Sequence, residues 1–285
     1  MIPADDCGFR SSTNTIRRNC IRNQYACLVS SAVFTLGLAL CRQDEMSCAG
    51  MPSGPCPLAS EFPTVPAATR QRFLTARDGD AALASSMLRE HLAWRAANFP
   101  LRDGAPRIGA GLPAFTWVHP GRARDGTRVV SQMCCMVDLK ARSAEEYVTG
   151  VAQFLFDLFD DDTDEKLTVL IDARPVAGAP NVRADKLLPF ILQMSKTLSL
   201  QFPERLQRAV VYPIPWALSF VWGLVRPFLP AKTADKIQLQ AGPCAGDSPC
   251  PVKLGRVVSL QALRDADRPR HAALAQYSSI AALGE

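Results

Sequence analysis

Four polar residues in the second half of the chain carry the chemistry of anion recognition. Glu204 and Arg205 are adjacent in the run F-P-E-R, and Thr233 and Lys236 lie in the run T-A-D-K. Arg205 and Lys236 are cations that donate charge-assisted hydrogen bonds to a phosphodiester. Glu204 accepts hydrogen bonds from hydroxyl groups, and the Thr233 hydroxyl either donates or accepts. Considered alone, the four residues are more typical of a charged helix end and a solvated turn than of a binding site.

Catalytic arrangements find little support in the sequence. The chain has three scattered histidines and no G-x-S-x-G nucleophile elbow; the histidines are His91, His119 and His271. The adjacent thiols of Cys134 and Cys135 are predicted to lie on a strand, where burial makes cysteines inert. We therefore expect a protein that is not an enzyme.

Metal and cofactor sites are also not expected. The acidic run at residues 160–165 begins like a calcium loop but lacks Gly at position six and Glu at position twelve, so a solvated loop is predicted. No C-x-x-C pair or Cys/His ligand spacing occurs among the 10 cysteines, which are predicted to be reduced thiols. The fragment G-A-G at residues 109–111 has no strand before it, as a dinucleotide-binding loop requires.

The polar residues flank a segment that is apolar on almost every face. Between Trp216 and Leu229 the one charged side chain belongs to Arg226. A helix that is apolar all round needs cover on several sides, and this segment is shorter than the ~20 residues that span a bilayer. Composition favours a buried core helix, but the movable wall of an apolar cavity that also contacts a membrane stays open.

The order of features around this segment resembles the CRAL-TRIO family of lipid-binding domains, which includes phosphatidylinositol transfer proteins. P-E-R precedes a short strand ending at Pro213, and P-x-P-W, the apolar segment, V-R-P-F-L and T-x-x-K-I follow in that order. Upstream, R-F-L-T-A-R at 72–77 and M-L-R-E-H-L-A-W-R at 87–95 resemble the family's helical N-terminal subdomain. Because D-G-T-R-V, S-A-E-E-Y and L-I-D also fall in the family's order, the resemblance runs from about Arg72 to about Gly255.

The resemblance implies a fold, a ligand and a set of binding residues. The implied fold is α/β: a helical N-terminal subdomain, then an α/β lobe whose mostly parallel sheet floors an apolar lipid pocket. The lipid headgroup would be bound by Glu204, Arg205, Thr233, Lys236 and Arg77. The apolar segment would be a gating helix that forms the pocket wall with Trp216, Phe220, Val221, Trp222, Leu224, Val225 and Phe228. The ligand would be a phospholipid rather than a cofactor, and no metal is implied.

The implied function is non-catalytic lipid binding and transfer, most of all of phosphatidylinositol at membrane surfaces. Moving a two-chain lipid into water exposes roughly 30 methylenes at ~0.8 kcal/mol each, so a carrier must enclose the chains. Two alternatives stay open. A binder of another apolar ligand, of the tocopherol or retinal kind, would not need Arg205 or Lys236. A membrane or protein adaptor would exchange no lipid.

Three positions depart from the family pattern. Asp78 follows Arg77 where phosphatidylinositol-binding members often carry lysine, which adds a negative charge near the expected phosphate. The strand motif D-L-x-G is replaced by D-A-R-P at 172–175. The Ser and Thr residues that line a choline-phosphate site in some members are absent from 176–179, so the resemblance supports phosphatidylinositol better than phosphatidylcholine.

Composition agrees with a peripheral contact with membranes. The chain of 285 residues has a formal net charge of +5, which suits an anionic membrane surface. It has no block of Lys and Arg interleaved with aromatic residues, so a nucleic-acid partner is not expected. We expect a cytoplasmic monomer that associates peripherally with membranes.

The sequence divides into five predicted parts. They are an N-terminal extension at 1–60, a helical subdomain at 61–99, a linker at 100–126, the lipid-binding lobe at 127–257 and a tail with one short helix at 258–285. Within the extension, residues 25–41 form an uncharged run after Arg17, Arg18 and Arg22. In order of preference, this run indicates a disordered extension, a targeting segment or a weak membrane anchor.

Periodicity and end signals predict the elements of the lobe. Helices are predicted at 67–77, 80–97, 143–159 and 183–201, and Ser143 with Glu146 forms a capping box at the start of the third. Strands are predicted at 128–138, 168–172, 209–212 and 236–240. Strands that alternate with helices indicate an α/β structure with a largely parallel sheet.

Overall fold

The computed structural model describes residues 56–214, 222–223, 226–229, 231–246, 248 and 250–283. The N-terminal run at 25–41 lies outside the described residues, as do five of the predicted pocket-wall residues: Trp216, Phe220, Val221, Leu224 and Val225. Residues 183–189 belong with residues 1–47 to one unit, and residues 48–182 and 190–285 form a second unit that contains the sheet.

Two helices precede the sheet, as the sequence predicts. They are α1, Ala67–Ala76, and α2, Ala81–Asn98. Asp78 and Gly79 join them with positive φ angles of 54° and 87°, a conformation that glycine adopts without strain. The buried residues that hold this helical pair together are Phe62, Val65, Phe73, Ala84, Met87 and Leu88.

A small paired segment leads into the main sheet. The two-residue strands β1, Arg107–Ile108, and β2, Gly111–Leu112, pair in parallel. The main sheet then has five strands: β3, Thr116–Arg122; β4, Arg128–Met133; β5, Leu167–Asp172; β6, Leu206–Ile214; and β7, Ile237–Ala241.

The order of strands across the main sheet is β3-β4-β5-β6-β7. The pair β3–β4 is antiparallel, and the other three pairs are parallel. The α/β class with a mostly parallel sheet and a helical N-terminal part is therefore confirmed.

Three helical connections join the parallel strands: α3, Ala144–Leu158; α4, Ala184–Gln201; and the short α5, Ala231–Ala234. The predicted capping box is present at the start of α3, where the Ser143 hydroxyl accepts from the Glu146 amide at 3.1 Å and the Glu146 carboxylate accepts from the Ser143 amide at 2.8 Å. Because such crossovers are right-handed in nearly all proteins, α3, residues 190–201 of α4 and α5 lie on one face of the sheet.

A long C-terminal helix covers the other face, which we call the sealed face. This helix is α6, Leu260–Leu283, preceded by a 3₁₀ helix at Val252–Arg256. The sealed face consists of Val129, Leu170, Val210 and Tyr212, which pack against Leu254, Val258, Ala262 and Leu263. The prediction of a tail with one short helix was therefore wrong, since α6 has 24 residues and completes the core.

The opposite face, which we call the open face, is covered unevenly: Val130 is 2% exposed, but four other apolar residues are less deeply buried. Successive side chains of a strand point to opposite sides, so the open face carries Val169, Ile171, Val211 and Leu239. All four are half-buried, whereas Leu170 and Val210 on the sealed face are 0% and 2% exposed. The open face thus presents an apolar surface on the side of the crossover connections.

The structure corrects two further predictions. Residues 100–126 were expected to be a connecting loop, but they contain β3, an edge strand in which Pro120 falls within a register shift between Val118 and Arg122. Proline is tolerated at edges and bulges, where no ladder amide is lost. The strand predicted at 128–138 ends at Met133, and Cys134–Met136 forms a 3₁₀ helix instead. The division into five parts stays a prediction.

Candidate functional site

Glu204 and Lys236 meet at the edge of the sheet where β6 and β7 begin. The Lys236 ammonium lies 3.2 Å from the Glu204 carboxylate, and the two side chains are 27% and 19% exposed, lysine first. A backbone hydrogen bond joins the starts of β6 and β7: the Ala209 amide donates to the Lys236 carbonyl at 2.9 Å. Glu204 has a left-handed φ of 58°, which is uncommon for a residue other than glycine. The backbone of this corner is therefore held in a specific, strained conformation.

Thr233 lies beside this pair. Its hydroxyl is 3.1 Å from the hydroxyl of Ser199 on α4. Its carbonyl accepts from the Lys236 amide at 3.1 Å. The backbone therefore holds Thr233 next to the Glu204–Lys236 pair, and we call these three residues the headgroup corner. Ser199 contacts this corner through Thr233, which the sequence alone did not indicate, because a lone serine on an amphipathic helix carries no signal.

Arg77 ends α1 on the same side of the protein. Its neighbour Asp78 forms an ion pair with Lys232 of α5, one residue before Thr233. The end of α1 and the start of α5 are therefore in contact, although no contact of Arg77 with Glu204 or Lys236 occurs among the described residues. The negative charge of Asp78, expected from the sequence to repel a phosphate, is paired with a lysine.

Arg205 points away from solvent, into the loop at 160–165. The residue is 4% exposed. Its guanidinium donates to the carbonyls of Asp160 at 2.7 Å, Thr163 at 2.8 Å and Glu165 at 3.0 Å, and it lies 4.2 Å from the centre of the Phe159 ring. Burial, followed by the nearby charge of Arg72, lowers the pKa of Arg205 to about 10. The headgroup contact predicted for Arg205 stays a prediction, and it requires these bonds to open.

Two residues of the predicted pocket wall fall in the described part of the chain. Trp222 is half-buried, and Phe228 is 54% exposed in the 3₁₀ helix at Arg226–Phe228. Phe228 lines a surface groove of about 490 Å³, whose other lining residues are Leu192, Gln193, Lys196, Pro227 and Leu229. The walls of this groove are mostly apolar, and Lys196 places one cation at its rim.

The acidic loop at 160–165 is held by arginines rather than solvated throughout. Its carboxylates are partly exposed, as the sequence predicts, but its carbonyls point inward. Arg95 pairs with the Asp161 carboxylate at 2.6 Å, and Arg128 pairs with that of Glu165 at 2.9 Å. Among the residues that the structure describes, no group of His, Cys, Asp and Glu could hold a metal ion.

A buried charge cluster lies between the sheet and α6, and the sequence did not predict it. Arg174, 1% exposed, donates to the Asp172 carboxylate at 2.7 Å and to that of Asp267 at 2.6 Å. Arg270, 2% exposed, donates to the carbonyls of Arg174 at 3.2 Å and Pro175 at 2.7 Å. The unusual D-A-R-P sequence thus supplies one half of this cluster, and α6 supplies the other.

The thiols described in the structure do not suit nucleophilic chemistry. Burial raises the pKa of Cys134 to about 12 and that of Cys135 to about 11. Because the thiolate is the reactive form, both groups are inert at neutral pH.

In the described ranges, 56–214 and the later segments, no helix is long and apolar enough to cross a membrane.

Comparison with known proteins gives a family match for part of the chain. Residues 115–242 match the profile described as the CRAL/TRIO domain. A solved structure described as the crystal structure of Sfh5 is similar at 17% sequence identity and a TM-score of 0.46, over 61% of this chain and 63% of that one. The similarity thus spans less than two thirds of the length of that structure. No curated protein matches the chain.

Proposed function

Because the chain carries a CRAL/TRIO domain at residues 115–242, whose family consists of lipid- and small-ligand-binding domains, we propose that this protein binds and transfers a phospholipid. Its acyl chains lie on the open face of the sheet, and its headgroup is bound at the headgroup corner. The preferred lipid is phosphatidylinositol, and the protein is a non-catalytic carrier. The observation that carries the proposal is the half-buried Glu204–Lys236 pair, with Thr233 beside it.

The chemistry of the headgroup corner suits an inositol phosphodiester. Lys236 supplies an ammonium donor for the phosphate, and Glu204 supplies acceptors for inositol hydroxyls. The two groups neutralise each other at 3.2 Å. A headgroup that carries both an anion and hydroxyl donors replaces both halves of this pair with hydrogen bonds, whereas the quaternary ammonium of choline meets Glu204 by charge alone and donates no hydrogen bond. The corner therefore supports selectivity for phosphatidylinositol over phosphatidylcholine.

The open face supplies apolar surface for the acyl chains. The apolar row on this face is partly accessible to solvent and consists of Val169, Ile171, Val211 and Leu239. Burial of apolar surface stabilises by roughly 25 cal/mol per Å². A lipid chain that packs against this row is therefore stabilised by the apolar surface that the contact buries. The apolar segment at 216–229 follows β6 directly in sequence, and we propose that it is the gating helix.

Contact with a membrane surface is proposed for the groove beside Phe228. Phe228 and Ile191 are 54% and 44% exposed, so both present apolar surface to solvent. Lys196 at the rim of the groove adds a cation that an anionic membrane surface attracts. We therefore place the peripheral, cytoplasmic membrane contact at this groove.

One observation favours a second candidate function. Arg205, expected to bind a phosphate, has its N–H groups bonded to three protein carbonyls. With one fewer cation at the site, the open face could instead hold a neutral apolar ligand of the tocopherol or retinal kind.

The decisive experiment is mass spectrometry of lipids extracted from the purified full chain and from two variants, Glu204→Gln and Lys236→Met. Phosphatidylinositol in the wild type that is lost from both variants supports the proposal. The matched control is Lys253→Met, since Lys253 is an exposed lysine in the 3₁₀ helix next to the sealed face. A neutral ligand retained by all four proteins would support the second candidate, and a protein without lipid would contradict both.

A further inference from the structure

A single backbone carbonyl, that of Thr163, accepts hydrogen bonds from two buried arginines. Arg205 donates to it at 2.8 Å, and Arg72 of α1 donates to it as well. The two residues are 4% and 7% exposed. They lie 133 positions apart in sequence, in the motifs P-E-R and R-F-L-T-A-R, so the acidic loop joins two motifs that the sequence presents as independent.

The helical pair holds this loop by further bonds. The Thr69 hydroxyl donates to the Asp161 carbonyl at 2.6 Å, and Arg72 donates to the same carbonyl at 3.2 Å. Arg95 of α2 pairs with the Asp161 carboxylate at 2.6 Å. The loop is thus bonded to α1 and α2 on one side and to Arg205 on the other.

On the other side of the loop, Arg205 directly follows Glu204. Glu204 has the left-handed φ of 58°, a conformation that persists when the surroundings of a residue enforce it. The three carbonyl bonds of Arg205 help to hold this turn, together with the bond from the Leu167 amide to the Arg205 carbonyl at 2.8 Å. They anchor the residue next to Glu204, whose carboxylate lies 3.2 Å from the Lys236 ammonium.

The space around the two arginines is too small for a phosphate. They line a cavity of about 20 Å³ together with His91, Gln201 and Phe202, which is room for about one water molecule. A phosphate could reach Arg205 only after the carbonyl bonds had broken and the loop had moved.

We propose that Arg205 is a positioning residue for the headgroup corner rather than a ligand of the headgroup, and that Arg72 acts on the same corner through the Thr163 carbonyl. This inference rests on the proposed phospholipid-binding function. It gives the helical pair α1–α2 a specific role, because α1 fixes the acidic loop, the loop fixes Arg205, and Arg205 fixes Glu204 beside Lys236. Selectivity for the headgroup therefore depends on Arg72, which lies outside the family match at 115–242.

The test measures lipid selectivity rather than stability. The purified full chain is incubated with vesicles of equal parts phosphatidylinositol and phosphatidylcholine, and the lipids that it takes up are quantified by mass spectrometry. Arg205→Met and Arg72→Met are each expected to lower the ratio of phosphatidylinositol to phosphatidylcholine by about tenfold, equivalent to ~1.4 kcal/mol of headgroup binding. Because both arginines act through one carbonyl, this ratio is expected to fall no further in the double variant than in the single variant with the larger effect.

A conservative variant separates a positioning residue from a direct ligand. A guanidinium presents five N–H donors in a planar fork, which a lysine ammonium does not reproduce. Arg205→Lys is therefore expected to behave like Arg205→Met. If lysine restored the selectivity, Arg205 would be a ligand that supplies charge to the phosphate, and the proposal would be wrong.

Other outcomes also decide the question. An equal loss of both lipids from the two arginine variants would show a purely structural role, and additive losses in the double variant would show that Arg72 and Arg205 act independently. Should Arg72→Met fail to fold, Thr69→Val removes one bond between α1 and the loop and is expected to lower the ratio in the same direction. Lys236→Met separates this inference from the proposed function, since an unchanged ratio in that variant would refute the function itself.

Discussion

The two faces of the sheet differ in how completely the protein covers them. Neighbouring residues of β5 show the contrast: Leu170 is 0% exposed beneath α6, and Ile171, one position along, is half-buried. The sealed face also contains the Asp172–Arg174–Asp267 charge cluster. The difference indicates that the sealed face contributes more to stability, and it agrees with our proposal that the open face binds a ligand.

The largest effect is expected from the buried charge cluster. Arg174→Met leaves the Asp172 carboxylate, whose side chain is 4% exposed, with Arg270 at 3.5 Å as its remaining ionic partner. Removal of one member of a buried ion pair costs about 3–5 kcal/mol, which urea unfolding of the full chain would measure. Arg268→Met is the control, since that α6 side chain is 79% exposed and its ion pair contributes less than ~1 kcal/mol. Equal losses in the two variants would contradict a special role for the cluster.

The neighbouring positions in β5 allow a direct comparison of the faces. Leu170→Ala opens a cavity in the sealed face and is expected to lower the free energy of unfolding by about 2–5 kcal/mol. Ile171→Ala removes a side chain that is less deeply buried than Leu170, so we expect a smaller loss of stability together with a lower yield of bound lipid. Unfolding curves and lipid mass spectrometry on both variants are the measurements. The comparison of the faces fails if Leu170→Ala reduces lipid binding more than Ile171→Ala does.

Acid is expected to weaken the sealed face through His119. Its Nε2 lies 2.7 Å from the Ser131 hydroxyl, and burial lowers its pKa, although the charge of Asp265 opposes the shift. A histidine in the unfolded chain binds its proton near pH ~6.5, whereas folded His119 binds one only at lower pH. The unfolded state therefore holds more protons below that pH, and stability falls as the pH drops through this window, by at most ~1.4 kcal/mol per pH unit for one proton.

The variant His119→Asn should flatten this pH dependence. Some slope will persist, because burial also lowers the pKa of His91 in the helical pair. The control variant is His271→Asn, which changes an exposed histidine of α6. An unchanged slope in His119→Asn would show that this histidine does not titrate on unfolding.

The smallest change in stability, with a clear change in function, is expected at the groove beside Phe228. Phe228→Ser replaces a side chain that is 54% exposed, so the free energy of unfolding should change by less than ~0.5 kcal/mol. Transfer of phosphatidylinositol between vesicles should become slower, because an apolar contact with the membrane is lost. The control is Val252→Ser, an apolar residue that is 83% exposed beside the sealed face. Equal transfer rates for the two variants would place the membrane contact elsewhere.

Local signals were sufficient for much of the fold. The Ser143–Glu146 capping box and the alternation of strands and helices gave α3, β5 and the parallel order correctly, because these features depend on residues close in sequence. The length of α6 was missed because Pro269 lies inside it and because its polar partners, Asp172 and Arg174, lie about 95 positions away. Strand β3 was missed because Pro120 indicates a loop unless the strand is known to be at an edge.

The candidate site was predictable in part. The order of motifs indicated Glu204, Thr233 and Lys236, and the structure brings these three together. The environment of Arg205 could not be predicted, since its partners are backbone carbonyls, which have no signature in a sequence. The same holds for Arg72, whose two carbonyl acceptors belong to residues about 90 positions away.

The packing of α6 has a practical consequence for recombinant work on this protein. The family match ends at residue 242, but the side chains that cover Leu170, Val210 and Tyr212 come from residues 254–263. A fragment cut at the end of the match would expose this apolar surface to water and leave Arg174 without Asp267. Such a fragment is expected to aggregate during expression, and a soluble one needs to extend at least to Ala273, which is 5% exposed against Met133 and Val176.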